Sequence, residues 1–163
     1  MASKSTNISS KKTVAFIILA VFFVILDRFL KALSLKGFFD APIPLIGNFF
    51  SLNFVRNYYI AFSLPFSGPI LTALIGIIIL ILLIYWLKLF IPFFKNSTSN
   101  SLLLPLTILL LGAILNFTDR ILYGFVIDYF YLKYFTIFNL ADIMIVAGVI
   151  WLIIFNKPKK YAV

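Results

Sequence analysis

The sequence predicts a mainly α-helical membrane protein with four transmembrane helices and a small extramembrane β-sheet between the first and second helices. Its hydrophobic fraction is 63%, whereas soluble domains have about 45–50%. Only 12% of the residues are charged, about half of the usual fraction. Four apolar stretches approach the ~20 residues that a helix needs to cross the hydrocarbon core. We therefore expect residues 1–163 to form a single integral membrane domain.

The apolar stretches place the four helices at about 13–33, 68–90, 102–122 and 138–155. The first begins with basic residues, as a signal peptide does, but no small-residue cleavage site follows it and Asp27 interrupts its end. We interpret it as a retained helix. The polar connection FKNSTSNS between the second and third helices is too short to cross the membrane.

The segment at about 34–67 is too long to be a simple turn between the first two helices. Within it, NFFSLNFVRN (48–57) is rich in aromatic and β-branched residues, which is typical of a strand. Pro42 and Pro44 precede this stretch and break regular structure. The segment therefore predicts a small sheet on the outer face of the membrane.

The basic residues indicate the orientation in the membrane. Eight lie at the termini or in the connection between helices 2 and 3: Lys4, Lys11, Lys12, Lys88, Lys95, Lys157, Lys159 and Lys160. Six lie on the other side: Arg28, Lys31, Lys36, Arg56, Arg120 and Lys133. Three of those six neighbour carboxylates, so the positive-inside rule predicts that both termini are cytoplasmic. The net charge of +9 then indicates cytoplasmic loops and anionic lipid, not nucleic acid.

The chain contains neither cysteine nor histidine. This excludes disulfides, thiolate catalysis, histidine-based triads, histidine metal clusters and histidine proton relays. The remaining chemistry must use Asp, Lys, Arg, Asn, Ser, Thr or Tyr.

The acidic residues are five aspartates, and four of them share one predicted depth near the outer surface. Those four are Asp27, Asp119, Asp128 and Asp142, whereas Asp40 lies apart. Asp128 is placed in the outer connection between helices 3 and 4. Because charges inside a membrane are costly, the shared depth predicts one common site.

Three of the features near these acids have ordinary structural interpretations. Asp27 and Lys31 stand four residues apart on helix 1, so they can pair and make two charges tolerable in a membrane. Asp142 lies in the first turn of helix 4, where a carboxylate favours the helix dipole. Asn139 precedes Asp142 by three residues. Asn57 follows the predicted strand and can be explained as a turn residue.

Helix 3 ends in a polar cluster. Asn116 and Asp119 share a face, and the guanidinium group of Arg120 can donate two hydrogen bonds to a carboxylate or bond to a carbonyl oxygen.

Two carboxylates that converge on one site can share a proton, since like charges a few ångström apart do not both ionise. Without histidine or cysteine, aspartyl proteolysis is the chemistry that remains by elimination. A shared proton supplies both acid and base, so no metal or organic cofactor is expected.

Five ordered blocks resemble the lipoprotein signal peptidases (signal peptidase II): DRFLK (27–31), VRNYYIAFSL (55–64), GAILNFTDR (112–120), FVID (125–128) and FNLAD (138–142). The resemblance implies a monomeric, four-helix aspartyl endopeptidase of the bacterial cytoplasmic membrane. Such enzymes remove signal peptides from prolipoproteins before a diacylglyceryl-cysteine. The resemblance assigns catalysis to Asp128 and Asp142. It assigns support and substrate binding to Asp27, Lys31, Asn57, Gly112, Asn116, Asp119, Arg120 and Asn139.

Four positions depart from the family's blocks: Leu30, Tyr59, Ile60 and Leu115 stand where it has small residues. Small residues allow close backbone approach in membranes, so we expect these changes to affect substrate fit more than chemistry.

Three other classes remain open. A transport subunit would favour charges at the bilayer midplane. A non-catalytic binder of lipoprotein or lipid would not need both Asp128 and Asp142. A lipid-processing metalloenzyme would need a tighter aspartate cluster at one helix end.

Overall fold

The computed structural model describes residues 10–60, 64–96 and 101–155. Residues 61–63 of the VRNYYIAFSL block and the terminal lysines Lys4, Lys157, Lys159 and Lys160 lie outside these ranges. The described part is mainly helical with a small antiparallel sheet, which confirms the predicted fold class at this level.

The described chain forms four helices: α1 (Ser10–Leu35), α2 (Gly68–Asn96), α3 (Leu103–Tyr123) and α4 (Leu140–Phe155). Two of them, over Gly68–Phe93 and Leu103–Tyr123, are long and apolar enough to cross a membrane by length and composition. The apolar part of α4, Leu140–Ile154, is shorter. Helix α4 begins later than predicted because the residues just before it belong to a strand.

The described strands are β1 (Ile43–Ile46), β2 (Phe50–Asn57), β3 (Tyr59–Ile60), β4 (Leu64–Ser67), β5 (Val126–Leu132) and β6 (Thr136–Phe138). Four of them form an antiparallel sheet in the order β1-β2-β5-β6, and β3 pairs with β4. The sheet therefore joins the α1–α2 connection to the α3–α4 connection.

This topology corrects two predictions. The sheet is not confined to the segment between the first two helices, and Asp128 lies on β5, where it pairs with Val55 of β2, instead of in a loop. The first four residues of β5 are all buried, so the strand lacks the alternation of apolar and polar residues that marks a half-exposed strand. Its sequence therefore gave no periodic signal.

Helices α3 and α4 pack closely through two glycines. A Cβ atom at Gly112 would lie 2.5 Å from the carbonyl oxygen of Ala141, and one at Gly148 would lie 2.8 Å from the carbonyl oxygen of Pro105. Only a residue without a side chain permits such backbone approach. This contact brings the polar end of α3 against the first turn of α4.

We expect Gly112→Ala to lower the free energy of unfolding by about 1–3 kcal/mol, as overpacking of a close contact does. The new methyl group would meet α4 backbone atoms, which move only if the helix moves. Thermal unfolding in detergent measures this. Gly76→Ala is the matched control, because its methyl group would meet only the ring of Phe117, at 3.1 Å. Equal effects of the two substitutions would contradict this account of the α3–α4 contact.

Two of the departing residues fill the space between elements. Leu30 packs against the buried cluster of Phe39, Tyr129 and Leu140. Leu115 is buried in a second cluster, with Ala141 and Met144. Tyr59 is exposed on β3, where its amide donates to the side chain of Asn57.

Candidate active site

Four aspartates from four elements meet at the end of the helices where the sheet lies. Asp27 comes from the C-terminal half of α1, Asp119 from the end of α3, Asp128 from β5 and Asp142 from the first turn of α4. The first three are at most 1% exposed, and Asp142 is partly buried. Asp40 is exposed in the connection after α1.

Two carboxylates and two cations form a buried ion-pair cluster. Lys31 Nζ lies 3.0 Å from Asp27 Oδ2 and 2.7 Å from Asp119 Oδ2. Arg28 Nη2 lies 2.8 Å from Asp119 Oδ1 and 3.3 Å from Asp27 Oδ2. The pair of Asp27 and Lys31 that the sequence predicted is thus half of a larger cluster. With two charges of each sign, this cluster makes the burial of Lys31, only 2% exposed, tolerable.

Asn116 connects the ion-pair cluster to Asp142. Its Oδ1 accepts from Lys31 Nζ at 3.0 Å, and its Nδ2 donates to Asp142 Oδ1 at 2.7 Å. Since one amide contacts both groups, the orientation of Asp142 depends on that of Lys31.

Asn139 binds both Asp128 and Asp142. Its Nδ2 donates to Asp128 Oδ1 at 2.7 Å, and its backbone N–H donates to Asp142 Oδ2 at 3.0 Å. The backbone N–H of Asp142 donates back to Asn139 Oδ1 at 2.9 Å, which resembles a capping box at the start of α4. The helix-capping role and the site role of the Asn-x-x-Asp motif are therefore compatible.

Asn57 and Arg120 connect the end of β2 to the site. Asn57 Nδ2 donates to Asp128 Oδ2 at 2.8 Å, so Asn57 contacts Asp128 directly and is more than a turn residue. Arg120 donates to the carbonyl oxygens of Tyr58 at 3.4 Å and Tyr59 at 2.6 Å. Of the two partners that the sequence allowed for Arg120, the structure shows the carbonyls.

The environment of Asp128 favours its protonated form. Burial raises the pKa of Asp128 to about 7, and the charge of Asp142 adds to the shift. The hydrogen bonds from Asn57 and Asn139 and the charge of Lys31 act in the opposite direction. The site can therefore hold a proton near neutral pH, as a pair of catalytic carboxyl groups requires.

All four carboxyl oxygens of Asp128 and Asp142 accept hydrogen bonds from amide groups. Among residues 10–60, 64–96 and 101–155, no group of three or more acidic side chains is arranged to hold a metal ion. Amide groups thus hold both carboxyl groups in one hydrogen-bonded site.

Comparison with known proteins identifies the family. The family model described as signal peptidase (SPase) II matches residues 19–156, which include every residue of the site. The chain belongs to the signal peptidase II family. The resemblance drawn from the five sequence blocks is confirmed, and with it a hydrolase of lipoprotein processing.

Relatives of known name and structure agree with this assignment. The chain is 37% identical over 128 residues to a lipoprotein signal peptidase of Caldicellulosiruptor bescii, covering 78% of this chain and 81% of that protein. It is 34% identical over 145 residues to one of Clostridium novyi, covering 85% and 95%. A solved structure described as a bacterial membrane enzyme has a TM-score of 0.70 at 29% identity, covering 91% and 94%. The match therefore extends over nearly whole proteins.

Two residues of this signal peptidase II chain were missing from the predicted site. Arg28 appeared in the sequence only as a neighbour of carboxylates, yet it contacts Asp27, Asp119 and the carbonyl oxygen of Leu115. Tyr129 carried no motif signal, although a buried tyrosine normally needs a partner for its hydroxyl group. Only the fold shows which partners these residues have.

Proposed function

We propose that this chain is an aspartyl endopeptidase that removes signal peptides from diacylglyceryl-modified prolipoproteins by cleaving before the lipidated cysteine. The observation that carries the proposal is that Asn139 donates to Asp128 at 2.7 Å and to Asp142 at 3.0 Å. One residue thus holds both carboxyl groups in a single site. The amides of Asn57 and Asn116 bind the remaining oxygen of each.

In the proposed reaction the two carboxyl groups share one proton. The ionised group takes a proton from a water molecule, whose oxygen attacks the carbonyl carbon before the cysteine. The protonated group donates its proton to the carbonyl oxygen as charge develops there. When the peptide bond breaks, the amine of the cysteine takes a proton from one carboxyl group, and a hydroxyl group of the tetrahedral intermediate returns its proton to the other as the C=O bond re-forms. The water has then been divided between the two products, and the pair again holds one proton.

The supporting residues hold this geometry in the proposed mechanism. The ion pairs of Asp27, Lys31 and Asp119 fix the polar ends of α1 and α3. Gly112 permits the close approach of α3 and α4, and Arg120 fixes the chain after β2. None of these residues needs to exchange a proton with the substrate.

The proposed location is the bacterial cytoplasmic membrane, with four spanning helices, both termini in the cytoplasm and the site near the outer leaflet. The site lies at the ends of α1 and α3 and at the start of α4, which supports a position near one membrane surface. Much of α2 is exposed and apolar, as a lipid-facing helix would be. We propose that the enzyme acts as a monomer. The acyl chains of its substrate would then stay in the bilayer while the peptide bond reaches the two carboxyl groups.

A cleavage assay tests this function. Purified protein is incubated with a prolipoprotein whose cysteine carries diacylglycerol, and with the same precursor left unmodified. We expect a gel shift only for the modified precursor, with the lipidated cysteine as the new N-terminus by mass spectrometry. Folded protein that binds the modified precursor without cleaving it would favour the alternative of a non-catalytic lipoprotein binder. Folded protein that neither binds nor cleaves the precursor would favour the alternative of a transport subunit.

The activity of this chain should depend on pH through Asp128. Because one proton is needed and the pKa of Asp128 is about 7, kcat/KM should fall as the pH rises through about 7. Asn57→Ala removes a hydrogen bond that favours ionised Asp128, so its pKa should rise and the fall should move to higher pH. Asn53→Ala, on the same strand, is the control. A fall that stays in place or moves to lower pH in Asn57→Ala would contradict this role for Asp128.

A further inference from the structure

Side chains from outside α4 bind the first amides of that helix. These amides have no carbonyl partner within a helix and need one elsewhere. The partners come from three places in the fold: the Leu140 amide donates to Tyr129 Oη at 3.0 Å, the Ala141 amide to Asp27 Oδ1 at 3.2 Å, and the Asp142 amide to Asn139 Oδ1 at 2.9 Å. The start of α4 is thus bound by β5, α1 and its own capping residue.

Tyr129 connects two of these elements through one oxygen atom. Its side chain is fully buried and packs against Phe39 and Leu140. Its hydroxyl group donates to Asp27 Oδ1 at 3.1 Å while accepting from the Leu140 amide. Burial raises the pKa of this hydroxyl group, so it keeps its proton and remains a donor. The aromatic ring alone would fill the space, whereas the hydroxyl group links Asp27 of α1 to the Leu140 amide, in addition to the direct bond from the Ala141 amide to Asp27.

Strand β5 therefore contacts the start of α4 through three consecutive residues, of which Ile127 accepts from Asn139 Nδ2 at its carbonyl oxygen, at 3.3 Å. Asp128 accepts from the side chain of Asn139, and Tyr129 accepts from the backbone of Leu140. Asp142 lies two residues farther along α4, within its first turn. The position of Asp142 relative to Asp128 thus depends on how α4 begins against β5.

We propose that Tyr129 is a positioning residue whose hydroxyl group fixes the start of α4 against β5, and with it the distance between Asp128 and Asp142. The inference rests on the proposed function. Tyr129 acts through Leu140 and Asp27 and exchanges no proton with the substrate.

Tyr129→Phe tests this role, because it removes one oxygen atom and keeps the buried ring. The Leu140 amide loses its partner, so kcat per folded molecule should fall about ten-fold while KM stays unchanged. Tyr131→Phe is the matched control: it removes the same atom two residues along β5, from a side chain that is only partly buried. Tyr131→Phe should keep the wild-type kcat.

Several outcomes separate this inference from the proposed function. A Tyr129→Phe protein with wild-type kcat, or with a raised KM alone, would overturn the positioning role if Asp128→Asn and Asp142→Asn are inactive. Activity in those two variants would overturn the proposed function itself. Should Tyr129→Phe not fold, hydrogen exchange of the wild-type Leu140 amide decides. Slow exchange supports the bond to Tyr129, and exchange as fast as at an exposed turn overturns it.

Discussion

Asp128→Asn and Asp142→Asn should each give a folded protein that has lost nearly all cleavage of diacylated prolipoprotein. Each substitution keeps the volume of the side chain and one accepting oxygen atom, but it replaces the other oxygen with an amide group that faces an N–H donor, and it removes the ionisable carboxyl group. A general acid or base contributes about 10²–10⁴-fold, and residues that act as a unit lose most of the rate when either is removed. The measurement is kcat/KM for each purified variant, normalised to the amount of folded protein.

Asp40→Asn is the matched control, because Asp40 is an exposed aspartate outside the site. It should cleave at the wild-type rate. If Asp128→Asn or Asp142→Asn retained near wild-type cleavage, that residue would leave the catalytic pair, and the binder and transport classes would regain support.

The second large effect is expected at Asp27, which supports the fold. Asp27→Ala removes a carboxylate that is 0% exposed and contacts Lys31 at 3.0 Å. It also removes the partner of the Ala141 amide and of the Tyr129 hydroxyl group. Because Lys31 and Arg28 would then share Asp119 as the one carboxylate of the ion-pair cluster, we expect a loss of roughly 3–5 kcal/mol of stability, as for a broken buried pair. Folded yield and melting temperature measure this loss, and activity should fall with them.

Asp40→Ala again serves as the control and should change neither quantity. Asp27→Asn should be milder than Asp27→Ala, because an amide oxygen still accepts from the Ala141 amide. Normal yield of Asp27→Ala with activity wholly lost would contradict a supporting role and place Asp27 among the catalytic residues.

The helices could be predicted from the sequence because spanning length and hydropathy are local properties. An apolar run such as Gly68–Phe93 needs no partner in the chain to be recognised. The shared depth of four aspartates followed from the same local reasoning. The structure indeed brings those four residues to one end of the helices.

The sheet could not be placed in the same way, since pairing depends on residues far apart in sequence. β5 is buried along its first four residues and pairs with β2, so neither its pattern nor its neighbours in the chain reveal it. Consequently, Asp128 was expected in a loop whose closure would decide its position. On a paired strand, its position is set by the fold.

The contacts within the site show the same limit. The family blocks named Asn57 and Asp128, but the bond between them joins residues 71 positions apart. Arg28 and Asp119 are 91 positions apart. Motif spacing singles out these polar residues as candidates, whereas their partners follow only from the packing of α1, α3, α4 and the sheet.

The most direct test of a single two-carboxyl site is the rate of the double variant Asp128→Asn/Asp142→Asn beside the two single variants, measured under single-turnover conditions. If the two groups act as one unit that shares a proton, the double variant should be no slower than the slower single variant. A double variant slower by the product of the two single effects would show that the groups act independently, and would contradict the account.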